Sequence, residues 1–469
     1  MKKSVLYILL WMISCQLFSQ NWVQVGDLND TPRVFFNDTL SGLLYISGNF
    51  RFNGIDTVDG FCAYNGTTFA SFGRRFDCVS FGCSPAFMIA RYQENLYFSG
   101  PSLSIIDGVT DINGIAQWDG TKWSPAIPGL YYDEDDNPYL DGYYIHDGNF
   151  YGVGFFRTAE GDTCNSVAYW NGQKWTGLGF IPYPDNGLPR VSRVIFYQDQ
   201  LYVAGNFSWE VSGGQDIARL TNTGWELVGG GLHGGLANVM DMEVYNGELY
   251  ICGSFRSSDG NIGNKIMRWN GQKWLKVGDG FCAQNIIPTE MMIHNDKLYV
   301  VGIFDCVNNN ILASNIASWD GERWCNLGDS YFNNTISCIT EYKGDIYVGG
   351  GFTMVDGQPC KSLAKWVGDH TTDTCSAPVS AALEISGNRG EFRLWPNPVG
   401  EELHIESAGP IERLQIFDST GKMVTNINNT ISGTKEESFT IDTRLLTSGL
   451  YYVTFQSSGR THSGKFVKI

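Results

Sequence analysis

An all-β chain in two parts is what this sequence predicts: a ring of seven small sheets closed by the chain's own N-terminal strand, then a compact two-sheet sandwich. Three observations predict it. The phrase aliphatic-Tyr-x-x-Gly recurs at intervals of 48 to 54 residues, at Leu44-Tyr45, Leu96-Tyr97, Phe150-Tyr151, Leu201-Tyr202, Leu249-Tyr250, Leu298-Tyr299 and Ile346-Tyr347. Helical periodicity sustained over about a dozen residues appears nowhere in these repeats. Of the 469 residues 56 are Gly, 14% are aromatic and only 17% are charged, against roughly 25% charged in an ordinary soluble domain.

Each element follows from local chemistry. The Leu-Tyr-Val-x-Gly runs are β-branched and aromatic and are preceded by turn pairs such as Asn246-Gly247 and Asn295-Asp296, the pattern of a strand leaving a tight turn. A second phrase ends each unit, best seen in Ile115 to Trp123 and Val167 to Trp175; it returns at Trp269 with Trp274 and at Trp319 with Trp324. In the first unit it weakens to Tyr64 and Phe69, and in the fourth to Leu220 and Trp225. A four-residue loop, Asn171-Gly172-Gln173-Lys174, sets Trp170 across from Trp175. Such cross-strand aromatic pairs contribute ~0.2 to 1 kcal/mol each, and the glycine supplies the positive φ of the turn.

Units of this length with four short strands bury their faces only against neighbours around a ring. An open β-solenoid is the alternative, with repeats that are usually shorter. The seventh unit favours the ring: it stops at Leu363 to Gly368 without the Trp-x-x-Leu/Val-Gly strand of the others, and Trp22-Val23-Gln24-Val25-Gly26 supplies that strand from the N-terminus. Closure of this kind leaves no open sheet edge. The expectation is a seven-bladed β-propeller over residues 20–368.

The N-terminus reads as a secretory signal peptide over residues 1–19. Lys2-Lys3 precedes an apolar run from Val5 to Ile13 and a small, polar stretch, with cleavage between Ser19 and Gln20. That run is shorter than the ~20 residues of a membrane span. Acylation of Cys15 as a lipoprotein is the alternative. Of twelve cysteines, eleven then remain, an odd number. Export permits disulfides, and Cys78 with Cys83 is the closest local pair. Neither Cys-x-x-Cys nor Cys/His spacing for zinc is present.

Residues 369–390 are Thr, Ser and Ala-rich and read as a linker. From 391 the chain alternates in short strands, Leu403 to Ile405, Leu414 to Phe417, Phe439 to Ile441, Tyr451 to Phe455 and Phe466 to Ile469, which predicts a small immunoglobulin-like β-sandwich over residues 391–469. Residues 391–469 hold 8 basic and 9 acidic groups and residues 20–390 hold 22 and 40, so nearly all of the net charge of -17 lies before the sandwich. That charge repels phosphate backbones and argues against nucleic-acid binding.

Several motifs in order carry a resemblance in this tail: Pro396-Asn397-Pro398, the hairpin from Ile416 to Gly421-Lys422, Ser448-Gly449-Leu450-Tyr451, and the terminal Lys465-Phe466-Val467-Lys468. The tail resembles the type A C-terminal sorting domain of the type IX, or Por, secretion system. That resemblance implies recognition by the type IX machinery, export across both membranes, and usually removal of the domain, with the product released or attached to the outer-membrane surface. An ordinary immunoglobulin-like accessory domain is the plainer reading. The repeats resemble Kelch or galactose-oxidase-type propellers, and more closely repeat propellers of secreted Bacteroidetes proteins. They depart from the Kelch pattern because a Gly-Gly doublet appears only around Gly349-Gly350-Gly351 and the paired aromatics stand five apart.

Chemistry is less legible. Copper oxidase chemistry needs converging histidines, whereas the repeats and linker hold only His146, His233, His294 and His370, of which His146 and His294 read as solvated hairpin residues. Asp133, Asp135 and Asp136 are candidate calcium ligands, although the alternate-residue pattern of a calcium loop is missing and a solvated acidic loop is the plainer reading. Asp56, Asp59, Asp107 and Asp111 fit turn geometry. No Gly-x-Ser-x-Gly elbow, phosphate loop or metalloprotease helix is present, so no catalytic residue and no cofactor is assigned. The recurring Trp and Tyr read as framework rather than sugar platforms. The expected function is a secreted, surface-exposed binding or adhesion protein for a glycan or protein ligand. A carbohydrate-active hydrolase or lyase and a structural surface component are the alternatives. An enzyme would bring non-repeating charged residues to one mouth of the channel; a binder would show an aromatic or polar patch without perturbed carboxylates.

Overall fold

The computed structural model describes residues 21–71; 86–181 without 102, 104, 105, 107, 111, 113, 127, 128, 132–137 and 180; 190–376 without 209–214, 235, 236, 283–285, 309, 310, 329 and 370–372; and 392–468 without 397, 398, 408–410, 419–422, 428–438, 458 and 459. Two compact units, Met1–Val379 and Ser380–Ile469, divide the chain. Strand is the regular structure throughout; among the described residues the first unit's helix amounts to two single 3-10 turns, Val228–Gly230 and Ser257–Asp259.

Seven four-stranded antiparallel sheets build the first unit among its described residues. Their first strands are Pro32–Asp38, Met88–Tyr92, Tyr139–His146, Arg190–Tyr197, Val239–Tyr245, Ile287–His294 and Ile336–Tyr342. Each first strand turns into the Leu-Tyr strand, which pairs with the third, and in six sheets a hairpin adds the fourth. The hairpins take the register the spacing predicts: Trp118 faces Trp123, Trp170 faces Trp175, Trp269 faces Trp274 and Trp319 faces Trp324. The seventh sheet takes its fourth strand from Trp22–Gln24, antiparallel to Leu363–Trp366 with Trp22 opposite Trp366.

The repeat glycine has a specific reason. Six of the seven first strands carry a β-bulge near their start, at Arg33, Asp141, Ser192, Met240, Thr289 and Ser337. Opposite each bulge stands the glycine of Tyr-x-x-Gly. A Cβ there would fall 2.0 to 2.3 Å from the facing backbone oxygen, as at Gly205 against Arg190 O and Gly253 against Asn238 O, both 2.0 Å. The missing side chain admits the close approach, and the bulge re-aims the side chains around it.

Neighbouring sheets are joined by the same contacts again and again. Trp225, Trp274 and Trp324 each donate an indole N–H to a carbonyl at the end of the preceding sheet, at Leu178, Val228 and Val277, over 2.8 to 3.1 Å. Trp22 reaches the equivalent place through Ser330, donating to its Oγ at 2.8 Å while that hydroxyl donates to Leu327 O at 2.6 Å. Tyr92, Tyr197 and Tyr245 donate their hydroxyls to the first turn of the next sheet, at Gly148, Gly247 and Asp296. Tyr342 of the seventh sheet makes that bond to Gly42 of the first, at 2.8 Å. First strands touch in the same cycle, the seventh meeting the first. The core lies between facing sheets, as where Tyr250 and Ile266 pack on Leu298, Val300, Trp319 and Trp324; each such large apolar side chain contributes ~1.5 to 3 kcal/mol on burial.

Two disulfides are present among the described residues, Cys282–Cys306 and Cys325–Cys375. The second bears on the stretch that the sequence assigns to a linker. Residues 373–376 line the outer strand of the sixth sheet: Asn326 N–H donates to Thr374 O at 3.0 Å and Ser376 N–H to Trp324 O at 2.7 Å. This part of 369–390 is therefore held to the first unit. The Cys78–Cys83 expectation lies outside the described residues.

The second unit has a three-stranded sheet, Phe392–Trp395, Glu402–Ser407 and Phe439–Asp442, and a four-stranded one, Met423–Ile427, Glu412–Asp418, Gly449–Ser457 and Arg460–Lys468. Leu403, Ile405 and Ile441 of the first share a core with Leu414, Ile416, Val453, Phe455 and Phe466 of the second.

Candidate functional site

All seven first strands contribute to one cavity of about 480 Å³. The bulges decide what it contains. Arg33 and Asp141 are bulge residues, and Arg193, Asp241 and Glu290 are the residues just after the bulge in the fourth, fifth and sixth sheets. Glu243 follows two positions beyond Asp241 on the same strand. All six line the cavity, together with Phe35, Phe36, Phe87, Tyr143, Tyr144 and Thr289 among others.

The charged groups run from sheet to sheet. Arg193 donates from Nε to Asp241 Oδ1 at 3.3 Å, and Asp241 Oδ2 accepts the Met291 amide of the next sheet at 2.7 Å. Glu290 Oε2 accepts the Ile339 amide of the sheet after that at 2.9 Å. Asp141 lies 3.7 Å from Arg190 Nε. Burial dominates their titration. It pushes Glu243 up to about 8, helped by the neighbouring Asp241 charge. It pushes Glu290 up to about 8 as well, again helped by Asp241 and opposed by the Ile339 amide. Asp141 and Asp241 are also raised by burial, with the arginines pulling the other way. Near neutral pH Glu243 and Glu290 are therefore largely protonated and able to donate.

Asp241 and Glu290 each commit an oxygen to a neighbouring strand and so pin adjacent sheets. A glycosidase pair needs two carboxyls free to face the scissile bond. Glu243 is the group whose only opposing hydrogen bond comes from its own strand, at Val244. The cavity therefore holds two acids that burial keeps protonated, Glu290 tied to the Ile339 amide of the next sheet and Glu243 bonded only within its own strand.

The residues that the sequence singles out are mostly elsewhere. Asp133, Asp135, Asp136, Ser19, Gln20, Cys78, Cys83, Asn397, Pro398, Gly421 and Lys422 lie outside the described residues. Pro396 is exposed; Gly449 and Lys468 face each other in the last two strands, Lys465 faces Tyr452, and Val399 N–H donates to Val467 O at 2.7 Å, tying the start of the tail to its final strand. His146 is not a solvated hairpin residue: its ring stacks on Phe196 at 3.8 Å and is half-buried. His294 hydrogen-bonds Asn295 across 2.8 Å. No group of three His, Cys, Asp or Glu among the described residues is arranged to hold a metal. Trp225, Trp274 and Trp324 are framework, as their inter-sheet bonds show, and Trp175, Trp269 and Trp319 are buried in the core.

Sequence reasoning missed the cavity residues, although a signal existed. Met88, Gly142, Arg193, Asp241, Glu290 and Cys338 all stand nine residues ahead of the repeat tyrosine. That position changes chemistry from unit to unit, while the framework around it repeats.

Residues 393–469 match the family model of the secretion system C-terminal sorting domain, which marks the chain for type IX secretion and a secreted or cell-surface location. No helix among the described residues is long and apolar enough to cross a membrane. Comparison with curated proteins gives no match. Among solved structures the chain is similar to PorZ, an essential bacterial surface component of the type-IX secretion system of Porphyromonas gingivalis, at 14% identity and a TM-score of 0.44 over 95% of this chain. It spans 60% of the length of that structure. It is also similar to Drosophila Semaphorin 2a, at 9% identity and a TM-score of 0.33, over 96% of this chain and 97% of the other.

Proposed function

We propose that the first unit is a seven-bladed β-propeller, exported on its sorting domain, that works at the cell surface or after release as a binding or adhesion protein for a glycan or protein ligand. Ring closure is supported by the Tyr342 to Gly42 bond and by the strand Trp22–Gln24 in the seventh sheet. The observation that carries the binding reading is the shared cavity, where Arg193, Asp241, Glu243 and Glu290 break the repeat on three adjacent sheets while the surrounding framework keeps it. Non-repeating polar groups in an aromatic-lined concavity are what ligand recognition requires.

A hydrolase or lyase is the second reading, favoured by the two marks expected of an enzyme from the sequence, non-repeating charged residues gathered in one cavity and perturbed carboxyls that stay protonated near neutral pH, as a general acid must. A glycan array on the full mature chain, with and without calcium and with released sugar measured on each spot, separates the two. Retention without release, weakened in Glu243→Gln, is the expected result. Release of sugar replaces binding with hydrolysis or lysis, and silence on both counts points to a protein ligand or a structural surface role.

A further inference from the structure

The closing strand is short, and this inference rests on the reading of the first unit as a closed ring. Trp22–Gln24 pairs with Ala364, Lys365 and Trp366, and the Val367 and Gly368 amides donate to Asn21 O at 2.8 and 3.1 Å. Its other anchor is the end of the sixth sheet. Asn21 Nδ2 donates to Gly328 O at 2.8 Å, and Trp22 donates to Ser330, whose hydroxyl donates to Leu327 O. Gly328 suits this place because its φ is +59° and a Cβ would fall 2.5 Å from the Trp366 ring and 2.9 Å from Asn21 Nδ2.

Residues 373–376 hold the same turn. Asp373 Oδ1 accepts the Gly328 amide at 2.7 Å, so one glycine carries both the start and the end of the first unit. Asn326 N–H donates to Thr374 O and its Oδ1 accepts the Thr374 amide at 2.7 Å, while Trp324 N–H donates to Ser376 Oγ at 3.1 Å. The Cys325–Cys375 bridge fixes this segment covalently across 50 positions of sequence. Its loop contains all three of the seventh sheet's own strands, Ile336–Tyr342, Asp345–Gly350 and Leu363–Trp366. The chain leaving the incomplete sheet is thereby tied back to the sixth. Cys282–Cys306, in contrast, encloses only the first two strands of the sixth sheet, Ile287–His294 and Lys297–Ile303.

We infer that Cys325–Cys375 is a redox latch on ring closure: when formed, it holds residues 373–376 on the sixth sheet and keeps the Gly328 turn in the arrangement that binds Asn21 and Trp22, and when reduced, it lets the closing strand open. Formation passes two electrons and two protons from the two thiols to a disulfide-bearing oxidant, which leaves as a dithiol, and one S–S bond forms in the protein. Cys375 is exposed and open to exchange, whereas Cys325 is buried. A cross-link over a long loop removes conformational freedom from the open chain. Thiols stay reduced in the cytoplasm and oxidise on export, so a chain carrying this sorting domain is latched only after it has left the cytoplasm.

Hydrogen exchange of the full mature chain, read by mass spectrometry on the peptide spanning residues 21–26, tests this directly. Dithiothreitol, or Cys375→Ser, is expected to speed exchange of that peptide by at least about tenfold, while peptides of the second and third sheets change by less than about twofold. The double variant Cys282→Ser, Cys306→Ser separates the two bridges and should keep the wild-type rate at residues 21–26. Alkylation of free thiols confirms which bridge is open, and if Cys375→Ser does not fold, dithiothreitol carries the test. Unchanged exchange at residues 21–26 with Cys325 and Cys375 reduced, or equal acceleration in every sheet, overturns the latch. Slow exchange there in the oxidised chain then still leaves the ring closed, whereas fast exchange in the oxidised chain removes the closed-ring reading as well.

Discussion

Trp22 faces Trp366 across an antiparallel strand pair, their ring centroids 5.1 Å apart, although they stand at opposite ends of the first unit's sequence. This is the Trp-on-Trp hairpin of the other sheets rebuilt from two distant segments. Trp22 is fully buried, packs edge-on to Phe332 at 5.2 Å, and donates to Ser330. Trp22→Ala is expected to cost about 3 to 5 kcal/mol, the usual range for emptying a buried aromatic site. Val23→Ala, on the exposed side of the same strand, should stay within about 0.5 kcal/mol of wild type. Urea unfolding checks both. Equal effects would mean that the strand contributes backbone pairing and little side-chain packing.

Gly253 is expected to tolerate no side chain, because its Cβ would fall 2.0 Å from Asn238 O. Gly253→Ala should lower stability by about 1 to 3 kcal/mol through overpacking. Gly400→Ala, with open space around its Cβ, serves as the neutral control. Melting temperatures of the two variants decide whether the repeat glycine exists to admit the bulge.

Asp216 should be better as asparagine. In six sheets the residue before the third strand has positive φ, at Gly60, Gly114, Ser166, Lys265, Asn315 and Ser362, and Asp216, the second residue of the fourth sheet's third strand Gln215–Thr221, has it too. Asn315 uses the position fully: its Oδ1 accepts the Phe304 amide and its Nδ2 donates to Asn334 O. Asp216 accepts the Phe207 amide in the same way, but its Oδ2 is buried without a hydrogen-bond partner, and burial pushes its carboxyl up to about 8. Because the folded value lies above the unfolded one, its stability contribution is full below about 4 and is lost as pH rises toward about 8. Asp216→Asn should therefore stabilise by about 1 to 3 kcal/mol at pH 8 to 9 and much less at pH 4. A gain equal at both pH values would show that the carboxyl is not the source.

Glu290 gives the cavity its own pH signature. Its raised carboxyl favours the folded state below its ordinary value of 4.5, and that advantage declines as pH rises toward about 8. Glu290→Gln keeps an oxygen for the Ile339 amide and removes the titration. The variant is expected to fold and to show a flatter fall in stability between pH 5 and 8 than wild type, measured by urea midpoints across that range. An unchanged slope would place the titrating proton on another group.

The sequence alone determined the strands, the hairpin register, the completing role of Trp22–Gln24 and the character of the tail. The reason is that these depend on short-range chemistry: an aromatic-aliphatic run makes a strand, a glycine turn of fixed length sets Trp170 opposite Trp175, and the same inter-sheet bond is made by Trp225, Trp274 and Trp324, so its residues recur and can be seen. Tertiary structure decided the rest. Arg193, Asp241, Glu243 and Glu290 stand at positions whose residue type does not repeat from unit to unit, and their meaning comes from which sheets stand side by side and from how deeply each carboxyl is buried. The bulges opposite Gly205 and Gly253, the Cys325–Cys375 bridge and the attachment of residues 373–376 to the sixth sheet likewise arise from backbone segments meeting in space. Spacing along the chain carries no record of such meetings, because each sheet edge accepts any extended segment that reaches it.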